Sequence, residues 1–116
     1  MQRPIKFRQI KDGRVHYWGY IENMGFVTPM ASAEWHDIPS DQYTGLHDRH
    51  GKEIYEGDIV KSGHNTFKIV WVQTMCCFKK RSIDGSYDSD LWLSKSDTLE
   101  VIGNVYQTPE LLERTA

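Results

Sequence analysis

The sequence predicts an all-β chain built as a small antiparallel barrel of the SH3-like type, with an N-terminal hairpin extension and a short C-terminal helix. Three observations predict the all-β class and fit such a barrel. Apolar residues alternate over short runs, as in Phe67, Ile69 and Trp71 against Lys68, Val70 and Val72. Turn residues punctuate those runs at roughly every 6 to 12 positions, the spacing of a small all-β domain. The Gly57-Asp58-Ile59-Val60 step then starts a new strand directly from a turn. Closing such a sheet would remove the free edges that invite aggregation.

The elements follow in order. Residues 5–10 and 14–22 read as a hairpin turned by Lys11-Asp12-Gly13, with Tyr17, Trp18 and Tyr20 giving bulk to the return strand. Residues 23–27 extend it. Residues 28–40 lose any period and carry Pro29 and Pro39, so they read as a loop with room for one helical turn near residues 31–35. Trp35 is the expected anchor of that loop, because a large ring buries much area.

Gln42-Tyr43-Thr44-Gly45-Leu46 suits a half-buried strand. His47-Asp48-Arg49-His50-Gly51 has an Asx-capable residue early and a glycine last, the order of a type I turn closed at positive φ. Residues 52–55 return beside the first strand, and Glu56-Gly57-Asp58 turns the chain again into residues 59–61. Residues 66–72 are the expected central strand, followed by a strand over residues 75–81, polar turn material over 82–90 and a short strand at residues 91–93. The last strand spans residues 98–105 with Gly103 as a bulge. Thr108 then offers an N-cap with Pro109 at the first helical position, and Leu111 and Leu112 would dock the helix.

The 116 residues suffice for one domain, residues 1–116, with its own core. A net charge of −2 gives no whole-chain attraction to nucleic acid or to an anionic membrane. The first eight residues carry Arg3, Lys6 and Arg8 without an apolar stretch, so no secretion signal is expected. The apolar runs at 69–72 and 75–78 are too short to span a bilayer. The expected setting is the cytoplasm. There Cys76 and Cys77, adjacent and pointing to opposite faces of a strand, stay reduced.

The segments Gln42-Tyr43-Thr44-Gly45-Leu46 and Gly51-Lys52-Glu53-Ile54-Tyr55-Glu56-Gly57-Asp58-Ile59-Val60 resemble the signature of the YopX-like family of phage and prophage proteins. Leu99-Glu100-Val101-Ile102-Gly103-Asn104-Val105-Tyr106, with Pro109-Glu110-Leu111-Leu112 after it, resembles that family's C-terminal signature, and Ile5-Lys6-Phe7-Arg8 resembles its start. The resemblance implies a β-barrel-containing domain encoded by phages or integrated elements, and so a bacterial host cell as its setting, with no catalytic residues to carry over; periodicity alone supports the all-β class, and the barrel rests partly on this resemblance. The histidines at positions 47 and 50 depart from the family's usual turn.

Four constellations could carry chemistry. His47, Asp48 and His50, with His64 in a later turn, have the donor types of a zinc or nickel site, although surface turns commonly contain His and Asp. Glu53, Glu56 and Asp58 are the densest acidic group, for which turn capping is the plain explanation. Lys79, Lys80 and Arg81 beside Phe78 and Tyr87 offer cations and stacking platforms for single-stranded nucleic acid; against this stand Asp84, Asp88 and Asp90, and the ordinary use of lysines to protect an edge strand. The aromatic content of 12 % exceeds what a small barrel encloses, so some rings are expected in a surface patch for self-association or for a host or phage protein. No nucleophile motif or phosphate-cradling loop is present, so a binding protein is expected rather than an enzyme, with no cofactor.

Overall fold

Residues 5–85, 87–91 and 98–113 are described by a computed structural model. The chain begins with a hairpin: β1 (Lys6–Lys11) and β2 (Arg14–Ile21) pair across the Asp12-Gly13 turn, in register from Lys6 opposite Gly19 to Lys11 opposite Arg14. A short β3 (Gly25–Val27) adds to β2. β4 (Asp41–His47) pairs with the other side of β1, and β5 (Glu53–Tyr55) pairs with β4, giving a five-stranded antiparallel sheet of order β3-β2-β1-β4-β5. The N-terminal hairpin is therefore the middle of a sheet and not an extension.

A second five-stranded sheet, of order β10-β6-β7-β8-β9, is built from β6 (Asp58–Ser62), β7 (Asn65–Val72), β8 (Cys77–Ser82), β9 (Asp88–Asp90) and β10 (Glu100–Asn104). β7 is its central strand, as the two-faced apolar run predicts. The expected SH3-like closure is not found; two open sheets pack together instead. Ile54 of β5 shares one core cluster with Val60, Phe67, Ile69 and Phe78 of the second sheet, so cover comes from a neighbouring sheet rather than from closing one ring.

The turn at Gly57 hands the chain from one sheet to the other. Gly57 has φ +86°, a conformation costly for any residue with a Cβ. Its N–H donates to the Ile69 carbonyl and its own carbonyl accepts from Val105, so the turn is tied to β7 and to the end of β10. The core cluster lies just beyond, with Ile54, Val60, Phe67, Ile69, Phe78, Leu91 and Leu99 almost wholly buried. Each such side chain contributes about 1.5–3 kcal/mol of transfer free energy.

Several expectations need correction. Residues 88–90 form β9 rather than turn material, because pairing with β8 overrides the weak strand preference of Asp and Ser. The C-terminal helix is only a 3-10 turn over Pro109–Glu113. Thr108 does not cap it as a free N-terminus; its hydroxyl accepts the Asn104 N–H and donates to the Asn104 carbonyl. Gly103 is the expected bulge, and a Cβ there would lie 2.0 Å from Thr108 Oγ1, so the close approach of that turn requires glycine. The strand expected at residues 91–93 falls mostly outside the described residues.

Candidate functional site

Alternation along β1 sorts its side chains. Arg8 points toward the second sheet and is buried, whereas Phe7, one residue earlier, points outward. Arg8 is the hub of a polar junction between the sheets. Its guanidinium lies 2.7 Å from Asp58 Oδ1 at the start of β6 and 3.3 Å from Asp41 Oδ2 at the start of β4. It donates to the Glu56 carbonyl and rests over the Tyr55 ring. Tyr106, just after β10, donates its hydroxyl to Asp41 Oδ1 at 2.8 Å, and the Tyr55 N–H donates to Asp58 Oδ2 at 2.8 Å. Burial raises the pKa of Asp41, Asp58 and Glu56 above the ordinary carboxylate range, against the pull of Arg8 on the two aspartates. The phenols of Tyr55 and Tyr106 are likewise pushed up by burial and by their acidic neighbours.

The segment containing Gln42, Tyr43, Thr44, Gly45, Gly51, Tyr55, Glu56, Gly57 and Asp58 is thereby placed around one structural joint. Tyr43 and Tyr55, both buried, meet at a tilt with ring centroids 5.4 Å apart, Thr44 donates its hydroxyl to the Ile54 carbonyl, and the Gln42 carbonyl accepts the Glu56 N–H. Gly45 lies where β4 and β5 slip register, and Gly51 closes the first turn at φ +81°. Sequence reading placed Asp58 as a turn cap but missed its partner, because Arg8 lies fifty positions earlier and no local pattern links the two.

Asp48 makes a second joint of a different kind. Oδ1 accepts the N–H groups of His50 and Lys52 and Oδ2 accepts that of Val101 on β10, at 2.8–2.9 Å. These three donors lower its pKa despite burial. His47 turns to the Tyr43 hydroxyl and His50 to Glu100. Among the described residues no three His, Cys, Asp or Glu side chains are grouped to hold a metal, so His47, Asp48 and His50 do not assemble as one site.

The cationic run is split by strand alternation. Lys79 and Arg81 share the outer face of the second sheet and pair with Asp90 and Asp88 directly across on β9. Lys80 lies on the opposite face, over the Phe67 ring, where Phe78 is part of the core. Tyr87 is exposed and tilts against Phe67. Cys77 sits opposite Val72 within β8, while Cys76 lies outside the strand in a left-handed conformation, and both thiols are free.

Among the described residues, the two rings with the highest fractional exposure belong to the first sheet. Phe7 and Trp18 stack on its outer face with centroids 4.3 Å apart. Beside them, Tyr20 and Phe26 meet edge to face across β2 and β3, and are 63 % and 58 % exposed; Met24 in the connecting turn is 71 % exposed. The loop over residues 28–40 covers the other end of this face, where the Met30 N–H donates to Gln9 and Trp18 donates to Ser40. Trp35 is buried there beneath the Arg14 guanidinium, as the anchor role requires.

The family model for the YopX protein matches residues 6–113, nearly the whole chain. The chain belongs to the YopX family. Among solved structures, this YopX family member is similar to the crystal structure of protein EF1440 from Enterococcus faecalis, at 24 % identity over 93 % of this chain and 78 % of that one, with a TM-score of 0.51. That likeness concerns the fold. No curated protein matches the chain. No helix among the described residues is long and apolar enough to cross a membrane.

Proposed function

We propose that this YopX family member is a phage- or prophage-type accessory protein that acts by binding another protein through the outer face of its first sheet, around Tyr20, Met24 and Phe26. The partner is a second copy of the chain or a host or phage protein, met in the bacterial cytoplasm. The observation that carries the reading is the exposed Tyr20–Phe26 pair, on a face where the loop over residues 28–40 bonds Gln9, His16 and Trp18. Rings in such a position supply large contact area for little side-chain entropy, which is why they dominate protein interfaces.

Binding to single-stranded nucleic acid by Lys79, Lys80 and Arg81 is less favoured by the geometry. The two outward cations already have aspartate partners, and releasing them would offset the gain from phosphate contact. The experiment is a double substitution, Tyr20→Ser with Phe26→Ser, followed by light scattering and affinity capture from the natural host. The reading expects loss of self-association or of a recovered partner with an unchanged circular dichroism spectrum. Unaltered assembly and unaltered capture would refute it.

A further inference from the structure

The buried junction holds two carboxylates, those of Asp41 and Asp58, around the single guanidinium of Arg8, with the half-buried Glu56 carboxylate close enough to Asp41 to repel it. Asp58 Oδ1 is fully enclosed and lies 2.7 Å from Arg8, yet accepts no well-aligned hydrogen bond. One arginine thus serves two aspartates from different sheets, with the Glu56 carboxylate adding repulsion toward Asp41. A proton on either aspartate would remove one buried charge and supply a donor where the set has more acceptors than donors.

We propose that the Arg8–Asp41–Asp58 junction is a proton-operated clasp, which takes up a proton in the folded protein and thereby tightens the join between the two sheets in mild acid. The groups that face it are Arg8 and Tyr17 from the first hairpin, Asp41 from β4, Lys52, Glu53 and Tyr55 around β5, Glu56 and Asp58 from the turn, and Tyr106 after β10. No histidine is among them, so the response belongs to the carboxylates.

The sign follows from linkage. Acids held above their ordinary values of 3.8 for Asp and 4.5 for Glu stabilise the fold fully below those values, and that stability is lost as pH rises through the raised folded values. Asp48 and Asp88 act oppositely, but their contribution is lost only as pH falls below 3.8, through their lowered folded values. The windows do not overlap. Stability should therefore rise as neutral solution is acidified toward the ordinary carboxylate range and fall only below it.

The test is urea unfolding of the wild type at a series of pH values, beside Asp41→Asn and, as a control on an exposed acid outside the junction, Glu110→Gln. For each proton held on folding, the folding equilibrium constant should rise by up to about tenfold per pH unit. Asp41→Asn should flatten this rise and Glu110→Gln should keep it. Carboxyl-carbon NMR of the wild type reads the same event without any variant, with the Asp41 or Asp58 signal titrating above the ordinary range. Flat or falling stability on mild acidification, or both signals titrating at ordinary values, overturns the proposal.

Discussion

The outer faces of the two sheets solve the same problem in opposite ways. On the second sheet, Lys79 and Arg81 each meet an aspartate across the β8–β9 pair, so these two charges are paired within the face. On the first sheet, Tyr20, Met24 and Phe26 face water, and Tyr20 and Phe26 meet edge to face. Charges placed opposite one another on neighbouring strands need no outside partner, whereas exposed rings gain from one. The contrast is what favours the first sheet as the proposed binding surface.

The strongest way to break this contrast is to remove the rings. Truncating an interface ring costs about 2 kcal/mol. Tyr20→Ser with Phe26→Ser should therefore weaken association by about a hundredfold or more, while the urea midpoint of the isolated chain moves little. Next in size is Trp35→Ala, which should cost about 3 kcal/mol of stability and uncover the rest of the first outer face, read as stronger binding of a hydrophobic dye. A third change works on the other sheet. Asp88→Asn with Asp90→Asn frees Lys79 and Arg81, and should add about 1.4 to the salt slope of single-stranded DNA binding relative to the wild type. The smallest effect is expected for Lys80→Ala, which removes a cation over Phe67 worth about 0.5 kcal/mol.

Much of this fold was legible in local chemistry. Gly51 and Gly57 stand at positive φ where the turn pattern puts them, and Trp35 is buried where a loop without a period needed an anchor. The division of Lys79 and Arg81 from Lys80 was also present, because side chains alternate along a strand, but a run of three cations reads as one patch until a strand is assigned. β9 was hidden because Asp-Ser-Asp has no strand preference of its own and is held by its neighbour. The Arg8 junction was illegible for a different reason: its members come from β1, β4, β6 and the end of β10, and only the packing of two sheets brings them together. The choice between a closed barrel and two open sheets rests on the same long-range pairing.

The most direct test of the ring face is site-specific photo-crosslinking in the natural host. A benzophenone amino acid would replace Phe26 in one variant and Lys61, an exposed residue on the outer face of the second sheet, in another. The account predicts a discrete adduct from position 26, to a second copy or to one defined protein, and none from position 61. Equal labelling from both positions, or adducts from position 61 alone, would contradict it.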